Sequence, residues 1–156
     1  MAQLEFHTGI ADPLGYSCRL LRKAYRRGSK VVVCGEAERL LRLDTMLWTF
    51  EQLEFVPHAR LGPGEQASEV MQRTPIWLAD RRAHWPHADV VVNLGDEAVD
   101  EPQRFARLIE IVGEGPEQVQ AGRSRWRHYA SLGLTPTLAG TKAGAAQASE
   151  EGTGAS

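Results

Sequence analysis

The segment VVVCG, residues 31–35, decides the fold class, because all five of its residues are apolar or small. A strand whose sheet is covered by helices on both faces has such a continuous apolar run, whereas a strand with one solvated face alternates. Helical patterns stand on either side of this segment in the sequence. The segment therefore predicts a central strand with parallel neighbours.

Upstream of this strand, the sequence predicts a short strand and then a helix. LEFHT at Leu4–Thr8 is the strand candidate. Asp12 can cap the helix, Pro13 suits its first position, and Gly28 ends it. The predicted core stripe of this helix repeats at four-, three- and four-residue spacing and consists of Leu14, Cys18, Leu21 and Tyr25.

Downstream, residues 36–50 have a second helical pattern, interrupted by Asp44 on nearly the same face. Its predicted core face consists of Ala37, Leu40, Leu41, Leu47 and Trp48. A turn-rich loop, ARLGPGEQASE, follows, and Ile76–Ala79 and Ala88–Gly95 are then strand candidates.

The last third of the chain continues the alternation of strand and helix. Residues 105–112 are predicted to pass from a short helix into a strand, and Pro116–Leu132 to form a helix that Gly133 closes. These elements predict a single α/β layered domain over residues 1–140. Residues 141–156 contain no large apolar side chain and are predicted to be a disordered tail.

Composition limits the function classes that the chain can belong to. The 156 residues fit one domain, and 18 Lys and Arg against 20 Asp and Glu give a net charge of -2. That balance argues against wholesale binding to nucleic acid or membranes, so any charged binding site has to be a local patch. No apolar run approaches the roughly 20 residues of a membrane helix. No signal segment is visible either, so we expect a cytoplasmic protein in which Cys18 and Cys34 are reduced.

The sequence offers no catalytic or cofactor-binding constellation. The first strand-to-helix turn, HTGIADPLG, lacks the glycine spacing that admits a pyrophosphate, and there is no Walker lysine loop. His58, His84 and His87 could suggest a metal site. However, Pro86 lies between His84 and His87 and argues against a shared helical face, and no close pair of cysteines accompanies the three histidines. We therefore expect no catalytic residue, no metal and no cofactor.

Two charged clusters stand out. The first is a basic run without any acid, interpreted as the solvated face of the first helix or, alternatively, as a contact for nucleic acid: Arg19, Arg22, Lys23, Arg26, Arg27 and Lys30. The second is an acidic loop to which we assign no function, formed by Asp96, Glu97, Asp100 and Glu101.

The last helix carries a more specific pattern. Arg123 and Arg127 are four residues apart and therefore project from one face, and Trp126 is three residues after Arg123. This group suits an acidic peptide that ends in an aromatic residue, because Arg binds carboxylates bidentately and Trp offers an apolar wall. The alternative interpretation is a core tryptophan between two solvated arginines.

Four stretches of the sequence resemble the DNA polymerase III chi subunit family. The most specific is RLDTMLWTFEQLEFVPHARLG at Arg42–Gly62, with its Arg-Leu-Asp, Leu-Trp and Phe-Val-Pro-His runs. FHTG near the start, the R-x-G-x-K-V-V-V passage at Arg26–Glu36 and R-W-R-x-Y-x-x-x-G at Arg125–Gly133 support it. The resemblance covers residues 4–139.

The resemblance implies a Rossmann-like layered sheet with helices on both faces, without a cofactor and without intrinsic activity. It further implies an adaptor in the DNA polymerase III holoenzyme. Such an adaptor links the clamp loader, through the psi subunit or another clamp-loader subunit, to the acidic C-terminal tail of the single-stranded-DNA-binding protein. DNA would then be contacted only indirectly. The alternative is a single-stranded nucleic-acid-binding module that uses the basic first helix.

The resemblance also places two binding surfaces on this chain. The site for the partner's tail would consist of Val112, Arg123, Trp126 and Arg127. A lysine known in the family is replaced here by Val119, which removes one positive contact. The psi-facing surface would include Trp48, Phe55 and Pro57, for which packing in the core is the alternative interpretation.

Overall fold

Seven parallel strands form one sheet in the computed structural model of the chain, which describes residues 3–49, 56–68, 71–86 and 88–139. The strands are β1 Gln3–Ile10, β2 Val31–Gly35, β3 His58–Leu61, β4 Ile76–Asp80, β5 Val90–Asn93, β6 Arg107–Gly113 and β7 Thr137–Leu138. Their order across the sheet is β3-β4-β2-β5-β6-β1-β7. The helices are α1 Pro13–Arg26, α2 Ala37–Thr49 and α3 Pro116–Ser131, with short 3-10 helices at Met71–Arg73 and Pro102–Arg104.

The β2 strand lies in the middle of the sheet, as its sequence predicts. It pairs in parallel with β4 on one side and β5 on the other, so that Val31 is opposite both Ile76 and Val90. All five residues of β2 are buried. The continuous apolar run therefore reflects a strand that helices or loops cover on both faces.

The two faces of the sheet bury separate hydrophobic cores. On one face, α1 and α2 pack against the odd-numbered valines of β2 through Cys18, Leu21, Leu40, Leu43 and Leu47. On the other face, Trp126 and Tyr129 of α3 pack against β1 and β6. This arrangement confirms the prediction of an α/β layered sheet with helices on both faces.

Local signals place the ends of α1 and α3 as the sequence predicts. The Asp12 side chain accepts a hydrogen bond from the Gly15 backbone N–H at 3.1 Å, and Pro13 occupies the first turn. Gly28 follows the helix with φ at +77°, a left-handed conformation that glycine adopts without a Cβ penalty. Pro116 likewise starts α3, and Gly133 follows its end.

The core face of α2 differs from the predicted one. The buried stripe is Leu40, Leu43 and Leu47, which recur at three- and four-residue spacing. Leu41 and Trp48 are 50% and 61% exposed, and Ala37 is exposed as well, so the assignment of these three residues to the core was wrong. The helix has apolar residues on two stripes, and only the packing on the sheet distinguishes them.

Two edge strands were missed, and two boundaries were shifted. HARL at β3 stands where a turn-rich loop was predicted, and β7 contributes only two residues at the opposite edge. β5 is shorter than predicted, and the short helix at Pro102–Arg104 ends before Phe105. The predicted tail, residues 141–156, and Phe55 lie outside the described residues.

Candidate binding surfaces

Helix α3 carries two exposed arginines and, between them in the sequence, a half-buried tryptophan. Arg123 and Arg127 are exposed, and among the described residues neither takes part in an ion pair. Trp126 is half-buried, with its ring centroid 4.9 Å from that of Phe6 on β1. The sheet therefore anchors one part of the indole while another part stays accessible, and Arg127 Nη2 donates to Ser124 Oγ at 3.5 Å.

Val112 lies underneath this surface, within the core. It is 4% exposed on β6 and faces α3 at Gly122, where an added Cβ would come within 3.0 Å of both Val112 methyl groups. Val112 therefore sets how closely α3 approaches the sheet below the exposed arginines. Val119, where the resemblance leads us to expect a lysine, is half-buried one turn before Arg123.

A buried polar network fixes the inner face of the same helix. Arg125 is 4% exposed, and its Nε donates to Glu110 Oε1 at 2.7 Å. The Tyr129 hydroxyl and the Asn93 side-chain amide also donate to the Glu110 carboxylate. Since all three neighbours are donors, they suit the ionised carboxylate.

Burial and pairing shift the pKa of Glu110 in opposite directions. Complete burial raises the pKa of Glu110, and the Arg125 guanidinium with the hydrogen bonds from Tyr129 and Asn93 offsets part of that rise. Burial beside the Glu110 charge also raises the pKa of the Tyr129 hydroxyl. Sequence reasoning missed this network, although Arg125 and Tyr129 belong to the quoted R-W-R-x-Y motif.

A second candidate surface lies on α2, on the opposite face of the sheet. Trp48 and Leu41 are exposed there, seven residues apart and therefore nearly in line along the helix. Pro57 is half-buried. Of the three residues predicted for this surface, Trp48 is thus not packed in the core, and Phe55 lies outside the described residues.

His58 connects the Pro57 segment to α2. Its ring Nε2 is 2.9 Å from Asp44 Oδ1, and its Nδ1 is 2.7 Å from the Val56 carbonyl oxygen. The Trp48 ring stands edge-on to the His58 ring, at 5.4 Å between centroids. Arg60 on β3 approaches the second oxygen of Asp44 at 3.6 Å.

A cavity of about 410 Å³ opens where β2, β4 and β5 end. Ligands of open α/β sheets bind in such crevices. Here the arginines in the lining are already paired, Arg81 with Glu97 and Arg104 with Glu101. Glu97 and Glu101 are members of the acidic loop, and its Asp96 pairs with Arg39 of α2.

Three further features considered in the sequence are a metal site, the basic run of α1 and a membrane-spanning helix. Within the described parts of the chain, no group of three or more His, Cys, Asp or Glu residues could hold a metal ion. The basic run of α1 is mostly exposed, with Arg22 half-buried. No helix in the described ranges has the length and apolarity to cross a membrane.

Both cysteines are buried and free, as predicted for core thiols. Burial raises the pKa of the Cys18 thiol to about 11, and it raises that of Cys34 as well.

Comparison with known proteins identifies the family. A family model described as DNA polymerase III chi subunit, HolC, matches residues 1–137. The DNA polymerase III subunit chi of Pseudomonas aeruginosa is 32% identical over 138 residues, covering 85% of this chain and 92% of the relative. That of Haemophilus influenzae is 30% identical over 115 residues, covering 71% and 75%. That of Escherichia coli is 24% identical over 124 residues, covering 75% and 78%. The resemblance seen in the sequence motifs is thereby confirmed, and this chain belongs to the DNA polymerase III chi subunit family.

Proposed function

We propose that this chain is a non-catalytic adaptor subunit of the DNA polymerase III holoenzyme. Its family makes it a replication accessory subunit. In this proposal it links the clamp loader, through psi or another clamp-loader subunit, to the acidic C-terminal tail of the single-stranded-DNA-binding protein. The observation that carries the proposal is the group on α3 that consists of the exposed Arg123 and Arg127 and the half-buried Trp126.

This group has the chemistry that an acidic tail ending in phenylalanine requires. Arginine presents a planar fork that can donate two parallel hydrogen bonds to a carboxylate. Neither Arg123 nor Arg127 is neutralised by an acid among the described residues, so both can pair with a partner. The accessible part of Trp126 supplies apolar contact for an aromatic ring. We expect a lower affinity for the acidic tail, because Val119 replaces a lysine and removes one positive contact.

The position of the second surface supports a linking role. Trp48 and Leu41 lie on α2, which packs on the face of the sheet opposite to α3. Exposed large apolar side chains close together are typical of sites for protein partners. Partners at α2 and α3 would be separated by the thickness of the sheet, so neither would block the other.

A peptide titration tests the tail site. A labelled peptide with the partner's acidic C-terminal sequence is titrated with the protein, and binding is followed by fluorescence anisotropy. Arg127→Ala should weaken binding about tenfold to a hundredfold, because a hydrogen bond to a charged group contributes roughly 1.5–3 kcal/mol. Arg19→Ala is the matched control, since Arg19 is an exposed arginine of α1 on the other face. Wild-type affinity in a folded Arg127→Ala protein would contradict the site.

Direct DNA binding through α1 is the second candidate function. It is favoured by the exposure of five cations on and just after that helix, namely Arg19, Lys23, Arg26, Arg27 and Lys30. We expect single-stranded DNA alone to bind weakly, and the single-stranded-DNA-binding protein to recruit the chain. Tight, salt-sensitive DNA binding without that protein would favour the second function instead.

A further inference from the structure

Two residues of the most specific sequence motif lie next to the exposed Trp48 of α2. Asp44 belongs to the Arg-Leu-Asp run and His58 ends the Phe-Val-Pro-His run, fourteen residues later. The fold brings them together at 2.9 Å beside Trp48. The His58 side chain is only 1% exposed, whereas the Asp44 side chain is 20% exposed, so water reaches this contact only from the Asp44 side.

We propose that Asp44 and His58 form a hydrogen-bonded pair that positions Trp48 and Pro57 for binding to the clamp loader. This inference rests on the proposed function of the α2 surface. Asp44 and His58 are positioning residues, because they act through the exposed side chains next to them.

Contacts at both ring nitrogens hold His58 in one orientation. Nδ1 lies 2.7 Å from the Val56 carbonyl oxygen, and Nε2 lies 2.9 Å from Asp44 Oδ1. The first contact joins the ring to the segment that enters β3, and the second joins it to α2. The ring cannot turn away from either partner without losing a hydrogen bond in a place that is 1% exposed.

The same contacts fix the geometry of the surface. Asp44 stands one helical turn before Trp48 on α2, and His58 follows Pro57 directly. The ring of His58 therefore ties the residues entering β3 to α2, and its face supports the edge-on indole of Trp48. An aromatic side chain held in one orientation loses less conformational entropy when a partner binds.

The contact can be measured directly. A long-range proton–nitrogen NMR correlation of the protein reports the ring nitrogens of His58, and the signals are assigned by their absence in His58→Gln. The Nε2 signal should change in Asp44→Asn, because the contact partner of that nitrogen is altered. An unchanged Nε2 signal in Asp44→Asn would overturn the pair.

The positioning role is tested with clamp loader purified without this subunit. His58→Gln and Asp44→Asn should each bind it about tenfold more weakly than wild type. The double variant should be no weaker than the weaker single variant, because both remove the same contact. All three should keep wild-type affinity for the acidic tail peptide, whose proposed site is on α3. That readout separates a local loss at α2 from a general loss of folding.

Trp48→Ala distinguishes the two levels of the proposal. If Trp48→Ala weakens clamp-loader binding while His58→Gln and Asp44→Asn bind as wild type, the positioning role is wrong and the α2 surface stands. If Trp48→Ala also binds as wild type, the α2 surface itself is wrong, and the positioning role falls with it.

Discussion

Three arginines within five residues of α3 have different environments and therefore different roles. Arg123 and Arg127 point to solvent, whereas Arg125 lies inside the core on Glu110. A helix turns about 100° per residue, so alternate residues of such a run face nearly opposite directions. The sequence predicts the exposed pair from their four-residue spacing. It does not reveal the pairing of Arg125, because Glu110 is fifteen residues away on a strand.

Removing Arg125 should damage stability, whereas removing Arg123 should damage only binding. Arg125→Ala leaves the fully buried Glu110 without its cation, which costs roughly 3–5 kcal/mol in comparable cases. Arg123→Ala should change the free energy of unfolding by less than about 0.5 kcal/mol. Urea denaturation of both variants checks this difference. Equal stability of the two would show that the buried pair contributes nothing to folding.

Trp126 and Arg127 should differ in how salt affects their contributions to tail binding. Trp126→Ala removes apolar contact, so its affinity loss should be nearly the same at low and high salt. The loss in Arg127→Ala should shrink as salt rises, because the contact it removes is electrostatic. Anisotropy titrations at two salt concentrations measure both losses. Since Trp126 also packs on Phe6, circular dichroism is needed to show that Trp126→Ala is folded.

Glu5 should make the protein sensitive to acid. Its hydrogen bond to His7, followed by those from Arg107, lowers the pKa of Glu5 from 4.5 to about 2, against the effect of burial. A carboxyl with a lowered folded-state pKa stabilises the fold above its unfolded pKa. That stabilisation is lost as the pH falls from 4.5 towards about 2.

Glu5→Gln tests this assignment. The variant should be less stable at pH 7 by about 1 kcal/mol, since Gln keeps one accepting oxygen but loses the negative charge that faces Arg107. Its free energy of unfolding should also fall less steeply than that of wild type over the acidic interval. Thermal denaturation between pH 2 and pH 7 measures both the stability at pH 7 and its decrease in acid. If stability depended on pH in the same way in both proteins, Glu5 would not be the cause of the acid sensitivity.

At the scale of elements, the approach of α3 to β6 depends on one glycine. A Cβ on Gly122 would lie 3.0 Å from both methyl groups of Val112, and a β-branched side chain buried in a strand has little freedom to move. Gly122→Ala should therefore lower stability by about 1 kcal/mol, because overpacking outweighs the gain in helix propensity. Calorimetric melting tests this, and a raised melting temperature would contradict it.

The elements that sequence reasoning recovered are those with a continuous local signal. β2 is apolar throughout, and α1 has its cap, its proline and its closing glycine within the segment itself. β3 and β7 were missed because edge strands bury few side chains and so show little pattern. On α2, the stripes of Leu40 and of Leu41 are both apolar, so the buried one depends on where the helix meets the sheet.

The same division applies to the candidate sites and to the polar contacts between elements. The Arg123, Trp126 and Arg127 group was predictable because one helix carries all of it. The contact between Asp44 and His58 joins α2 to β3, and the Glu110 network joins a loop, two strands and a helix. Such contacts depend on the topology of the sheet, which a single sequence does not specify.

At the scale of the whole molecule, a small sheet separates two exposed surfaces. The α2 surface with Trp48 lies over one core and the α3 surface with Arg127 over the other. Since the net charge is only -2, the adaptor role that we propose would depend on these local groups rather than on the overall electrostatic field. An adaptor needs two sites that can be occupied together, and opposite faces of one sheet meet that need.

A bridging measurement tests the central claim most directly. Clamp loader lacking this subunit is immobilised, the chain is added, and capture of single-stranded-DNA-binding protein is recorded. Wild type should capture it. Arg127→Ala should remain on the clamp loader but fail to capture, whereas Trp48→Ala should fail to load and still bind the tail peptide. Capture by Arg127→Ala at the wild-type level, or loss of both activities in either variant while it remains folded, would contradict two independent surfaces on one adaptor.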